Sequence, residues 1–190
     1  MSDSRRILAC LLCVLSSSVA QAHPGHGGGL GSGFAHPFSG IDHLLAMIVI
    51  GIWAAQLGGR ARWGVPLAFV SMMGLGAALA LDGIVPPAPD AGITVSLLVL
   101  GLAVAFALRV PSAVAAALAA AFALFHGAAH GVELPGLADP RWYVLGFLVA
   151  TLCLHGLGVG LGTIAQRHLP IATRVAGAAT AAAGFALLMA

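Results

Sequence analysis

Six long apolar stretches, separated by short polar connections, dominate the chain. A helix needs about 20 predominantly apolar residues to cross a bilayer, and each stretch approaches that length. The pattern therefore predicts an all-α membrane protein, a polytopic bundle of about six transmembrane helices that occupies residues 36–190. The predicted helices are Ile41–Leu57, Trp63–Leu81, Ala91–Leu108, Ser112–Gly131, Trp142–Thr163 and Ile171–Met189.

Residues 1–22 have the pattern of a secretory signal peptide. Arg5 and Arg6 precede the apolar core Ile7–Leu15, and the small residues of Ala20-Gln21-Ala22 form a cleavage site. This core is shorter than the roughly 20 residues of a spanning helix, so we expect cleavage, with an uncleaved first anchor as the alternative.

The segment that follows, residues 23–35, is rich in glycine and lacks an apolar period, which predicts a flexible periplasmic leader. Processing would place a free amine beside the imidazole of His23, with His26 close by. Nitrogen donors so grouped suit capture of Ni²⁺, Co²⁺ or Cu²⁺. The alternative is a flexible tail with incidental histidines.

Arginine is distributed unevenly between the two ends of the predicted helices. One set of alternate connections carries Arg60, Arg62, Arg109, Arg167 and Arg174, while the other carries Asp82, Asp90, Glu133 and Asp139 with only Arg141. Because cytoplasmic loops are enriched in basic residues, the first set is predicted to be cytoplasmic. The expected location is the bacterial inner membrane, with the mature N- and C-termini both periplasmic.

Composition excludes several classes of protein. Of the 190 residues, 60% are hydrophobic and 7% are charged, whereas soluble domains are about a quarter charged. A formal net charge of +2 does not indicate a nucleic-acid surface. The chain has no GxxxxGK[ST] phosphate loop, so it is not expected to hydrolyse ATP. No prosthetic group is predicted.

Two polar groups interrupt the apolar pattern at the outer ends of the first and fourth predicted helices. An ionisable residue at the bilayer centre costs about 3 kcal/mol on insertion scales, so each requires a partner or a purpose. Histidines and carboxylates at similar depth indicate a site for a transition metal. The six candidate ligands are His36, Asp42, His43, His126, His130 and Glu133.

Other interpretations of these residues stay open from the sequence alone. Asp42 fits the [ST]-x-x-[DE] capping pattern that begins at Ser39. His126 and His130, one helical turn apart, are also compatible with interhelical hydrogen bonds. His155 lies about 20 Å along the fifth helix at 1.5 Å per residue, where it is either a relay beneath the outer site or a satisfied interhelical histidine. A shared site also requires the first and fourth helices to be neighbours.

Two segments, HPFSGIDH at 36–43 and FHGAAHGVE at 125–133, resemble the signature motifs of the HupE/UreJ family. Its members are small membrane proteins associated with hydrogenase and urease and regarded as nickel, in some cases cobalt, permeases. The resemblance carries over family functional positions to His36, Asp42, His43, His126 and Glu133. His130 lies within the second motif, where members are less uniform.

The function expected from these features is ATP-independent uptake of a divalent metal, and the resemblance implies nickel for hydrogenase or urease maturation. Nitrogen and oxygen ligands also suit Co²⁺ and Zn²⁺. The expected partners are the metal ion, the lipid bilayer and nickel-enzyme maturation proteins. A cobalt permease, a metal-binding accessory protein and an intramembrane metal-dependent enzyme are the alternatives. Neither HEXXH nor repeated HXXHH boxes occur, so an enzyme is not expected.

Overall fold

A computed structural model describes residues 29–134 and 140–190, so the predicted signal peptide, His23 and His26 lie outside the described ranges. Within those ranges the chain forms seven helices: α1 Leu30–Ala35, α2 Ile41–Leu57, α3 Ala61–Leu81, α4 Pro89–Ala105, α5 Ser112–Glu133, α6 Pro140–His168 and α7 Pro170–Met189. A short 3-10 turn, His36–Phe38, joins α1 to α2.

Most of these helices have the length and composition of membrane spans. Helices α3, α5, α6 and α7 are each long and apolar enough to cross a bilayer. Helix α2 meets the same criterion only together with α1 and its turn, and the two helices are bent by 84° relative to each other. Helix α4 is apolar and has 17 residues. The predicted class, an all-α multi-pass membrane protein, is confirmed.

The outer surface of the bundle carries large apolar side chains. Leu67 and Leu75 of α3 and Leu157 and Leu161 of α6 are all exposed, whereas Trp53 of α2 is buried. Lipid tails are as apolar as leucine, so no hydrophobic force between helices drives their packing. Helices in a membrane associate instead through close fit of small residues.

Glycines provide that close fit at the three main helix pairs, which are α3 with α5, α2 with α6 and α4 with α7. Gly127 of α5 lies against the backbone of α3 at Met73, and Gly158 of α6 lies against the backbone of α2 at Ile48. Gly101 of α4 meets α7 in the same way. A side chain at any of these positions would push the two backbones apart.

The structure differs from the sequence expectation at the end of the leader. Residues 23–35 were expected to be flexible, but Leu30–Ala35 forms a helix that packs on α6. Gly33 and Gly146 allow this contact, because a Cβ at either glycine would collide with the backbone of the other helix. Docking of α1 in this way holds His36 beside α6.

Candidate metal centre

Histidines from three parts of the chain meet at one end of the bundle. The turn after α1 contributes His36, the first turn of α2 contributes His43, and α5 contributes His126 and His130. His130 is central: its ring centroid lies 4.5 Å from that of His36 and 4.6 Å from that of His43. The His43 ring lies 5.8 Å from His126. The two polar groups of the sequence therefore converge in space.

The tightest donor group consists of His36, His130 and Glu133, whose ligand atoms all lie within 4.8 Å of one another. Glu133 Oε2 is 3.6 Å from His36 Nε2 and 3.5 Å from His130 Nδ1. Helix α5 continues to Glu133, two residues beyond its predicted end at Gly131, so Glu133 and His130 share one helical face. Two imidazole nitrogens and a carboxylate oxygen suit Ni²⁺, Co²⁺ or Zn²⁺.

His43 is held by its neighbour Asp42. The carboxylate oxygen Oδ1 accepts a hydrogen bond of 2.9 Å from His43 Nδ1, which leaves the lone pair on Nε2. That Nε2 atom is buried and has no hydrogen-bond partner among the described residues. Metal-binding histidines commonly donate their second ring N–H to a carboxylate in this way. In this geometry Asp42 orients His43, and it lies outside the three-donor group.

His126 is oriented by the backbone of its own helix. Its Nδ1 lies 3.0 Å from the carbonyl oxygen of Phe122, and because a carbonyl can only accept, Nδ1 carries the proton. The remaining lone pair is on Nε2, which is buried without a hydrogen-bond partner in the described part of the chain. An unpaired buried polar atom costs about 1–3 kcal/mol, so this atom favours a bound partner such as a metal ion.

The second motif combines two patterns with the same spacing of four residues. Gly127 and Gly131 pack on α3, where a Cβ at Gly131 would lie 2.8 Å from the Ala77 carbonyl oxygen. His126 and His130 precede these glycines by one residue each, so they occupy the adjacent stripe of the helix. Close packing of α5 on α3 thereby sets the position of both imidazoles. Residue chemistry is enough to select the histidines, whereas the packing role of these glycines is not predicted by the sequence pattern.

Aromatic rings form walls around the site. By ring centroids, Tyr143 of α6 lies 5.6 Å from His36, and Phe147 of the same helix lies 5.0 Å from His130. Phe69 of α3 lies 5.3 Å from His126. Apolar walls keep water away and strengthen the electrostatic attraction between the donors and a cation. Sequence reasoning missed these residues because an aromatic residue in an apolar helix has the same pattern as ordinary core.

His155 lies apart from this cluster. It is fully buried in α6, and its ring contacts Phe69 at a centroid distance of 5.1 Å. The structure thus places the predicted relay residue near the site but does not include it in the donor group.

Comparison with known proteins bears on the identity of this chain. A family model described as HupE / UreJ protein matches residues 11–187. The chain belongs to the HupE/UreJ family. This HupE/UreJ chain is 45% identical over 186 residues to Protein HupE of Rhizobium leguminosarum bv. viciae, and the match covers 97% of each chain. No solved structure matches it. HupE/UreJ proteins are transport and accessory proteins rather than enzymes, as expected from the sequence.

Proposed function

We propose that this HupE/UreJ protein is an ATP-independent permease that carries a divalent transition metal ion, with nickel as its main substrate. The ion would cross the bacterial inner membrane and supply hydrogenase or urease maturation. The observation that supports this proposal is the convergence of His36, His130 and Glu133, with His43 and His126 beside them, at one end of an apolar bundle.

The donors are arranged from a rim toward the interior. The Glu133 side chain is 58% exposed and that of His130 only 2%, so the carboxylate faces an arriving dication first. His126 lies one turn, about 6 Å, further along α5 from the rim than His130. The ion would exchange its water ligands for imidazole nitrogens as it moves from Glu133 to His130 and then to His126.

Transport also requires release and a driving force. Binding must be weak enough for the ion to leave each site, as in any conducting pathway. The membrane potential is worth about 2.3 kcal/mol per charge per 100 mV, or roughly twice that for a dication. Trapping of the metal by maturation proteins in the cytoplasm would add to this drive.

The arginines support an orientation. Arg60 and Arg62 follow the C-terminal end of α2, whereas His43 lies in its first turn, so these residues belong to opposite ends of the helix. With the arginine-rich end in the cytoplasm, the donor group faces the periplasm, and both mature termini lie on that side. The permease then takes up metal from the periplasm.

Uptake of ⁶³Ni²⁺ by cells tests this proposal. Cells would express the wild type, His43→Ala, His126→Ala or the control His168→Ala at matched membrane levels, with unlabelled Ni²⁺, Co²⁺ and Zn²⁺ as competitors. His168 is an exposed histidine at the end of α6, so its variant should retain uptake. Uptake by His43→Ala and by His126→Ala should be at least tenfold lower than that of the wild type, since removal of a ligand-orienting group alone typically lowers metal affinity about 10- to 100-fold.

The competitors rank the metals: Co²⁺ competing better than unlabelled Ni²⁺ would make this member a cobalt permease. Wild-type uptake no greater than that of cells with an empty vector would refute transport. In that case a metal-binding accessory role becomes the better account. Equal uptake by the wild type and both site variants would show that the ion takes another route.

A further inference from the structure

Two buried polar side chains of α6 are not used by the proposed metal centre. His155 and Thr151 are both fully buried. Neither ring nitrogen of His155 has a hydrogen-bond partner in residues 29–134 and 140–190, and the Thr151 hydroxyl also lacks one. The residues are four apart, so they share one face of the helix.

Such an arrangement is unfavourable unless something binds there. A buried polar group without a partner costs about 1–3 kcal/mol, and this pair contains three such atoms. Leucine and valine would fill about the same volume without that penalty. The polar pair therefore indicates a ligand that makes up the missing interactions, such as a cation with its remaining water.

The position of the pair continues the line of donors into the bundle. Along α6, the Tyr143 ring contacts His36 and the Phe147 ring contacts His130. Thr151 and His155 follow on the next two turns, about 6 and 12 Å beyond Phe147. Successive turns of α6 thus lie first beside the outer histidines and then deeper in the bundle.

The ring of Phe69 contacts a histidine of the outer cluster and the histidine of the inner pair. Its ring centroid lies 5.3 Å from that of His126 and 5.1 Å from that of His155. The imidazole of His126, beside the three-donor group, and the imidazole of the inner pair therefore contact the same aromatic ring. His155 is thus separated from His126 by no more than one shared ring contact.

We propose that Thr151 and His155 form an inner station, a second and weaker binding site for the same divalent cation on its way through the bundle. One imidazole nitrogen and one hydroxyl oxygen leave most of the coordination to water, which suits a site that must release its ion quickly. This inference rests on the proposed transport function, because the inner station has a role only if the ion moves inward.

Transport kinetics separate the inner station from simple packing. Purified full-length protein in liposomes would be assayed for initial Ni²⁺ flux as a function of Ni²⁺ concentration. His155→Leu should lower Vmax at least fivefold with KM within twofold of wild type, and Thr151→Val should lower Vmax in the same direction. His168→Leu, the same substitution at an exposed position of α6, should change neither. A Vmax of His155→Leu equal to that of the wild type would overturn the proposal.

Binding gives a second test that does not depend on flux or on the folding of the leucine variant. Titration of the full-length wild type with Co²⁺ in detergent should show a weak phase of d–d absorption after the outer donors are filled. That phase should be absent from His155→Gln and retained in His168→Gln. Identical titrations of the wild type and His155→Gln would refute the inner station. A wild type that carries no Ni²⁺ would instead refute transport, and the Co²⁺ titration would still decide whether His155 binds metal.

Discussion

Substitution of Gly40 tests how the site holds His43. Gly40 precedes α2 with φ −109° and ψ 122°, a conformation that alanine adopts without strain. An added Cβ would nevertheless lie 2.6 Å from Asp42 Oδ1 and 3.0 Å from His43 Nδ1. The carboxylate has room to rotate only by giving up its hydrogen bond to His43. The expected effect of Gly40→Ala is therefore loss of the Asp42 to His43 contact while the fold is kept.

Two independent magnitudes set the size of this effect. A hydrogen bond to a charged group contributes about 1.5–3 kcal/mol, which corresponds to roughly 10- to 150-fold in an equilibrium constant. Loss of a group that orients a metal-binding histidine typically lowers metal affinity about 10- to 100-fold. We expect Gly40→Ala to raise the Kd for Co²⁺ or Ni²⁺ by about 10- to 100-fold, and to lower the free energy of unfolding by no more than about 1.5–3 kcal/mol.

Equilibrium dialysis of ⁶³Ni²⁺ against purified full-length protein measures this Kd. Asp42→Asn, which removes the charge but keeps the shape, should fall in the same range. Gly64→Ala is the matched control, because a Cβ at that α3 position meets nothing within 4 Å. A Gly40→Ala Kd within twofold of wild type, alongside a tenfold weaker Asp42→Asn, would refute the steric argument. No change in either variant would show that Asp42 does not orient His43.

Three further predictions concern the packing and the tautomer state. Gly127→Ala places a methyl group against the α3 backbone and should lower the free energy of unfolding by about 1–3 kcal/mol. Gly156→Ala is the control and should not lower it, because the added Cβ meets nothing within 4 Å. Equal thermal midpoints of the two variants would contradict this prediction. Gly33→Ala should undock α1 and weaken Ni²⁺ binding at least tenfold through loss of His36, and unchanged dialysis Kd values would refute that link. ¹⁵N NMR should find the metal-free His126 ring protonated at Nδ1, and protonation at Nε2 would contradict the ligand assignment.

Hydropathy predicted the helices well because it measures the preference of each side chain for an apolar environment such as the lipid bilayer. Helix α2 begins and ends at the predicted residues, Ile41 and Leu57. Gly58 follows with φ 70° and ψ −167°, a conformation that is essentially restricted to glycine. Helix α4 ends at Ala105, three residues before the predicted Leu108. The apolar pattern continues past that end, but Ala107 adopts φ 49° and the Leu108 N–H bonds to the Ala103 carbonyl, which is the geometry of a left-handed helix cap. Trp53 Nε1 donates a hydrogen bond to the Leu108 carbonyl just beyond this cap.

The candidate site, like the helices, depends partly on local sequence and partly on tertiary packing. Residue chemistry and helical spacing were enough to select His126, His130 and Glu133. The first and fourth predicted helices, α2 and α5, were expected to be neighbours, but α2 packs chiefly on α6 and α5 chiefly on α3. Their imidazoles meet at the end of the bundle, where His43 lies 4.6 Å from His130 by ring centroids. Helix packing by small residues determined this meeting.

The amino-acid sequence by itself determined the membrane class, the six long helices and the set of candidate donor residues, because each depends on residue type, local hydropathy and the periodicity of one helix. Only the tertiary structure decided which candidate donors meet, that α1 folds and brings His36 to them, and that Phe69 contacts both His126 and His155. These features depend on which glycines of one helix face the backbone of another. In a uniformly apolar chain, hydrophobicity does not distinguish a glycine that packs from one that faces lipid, so that choice emerges only when the helices are assembled.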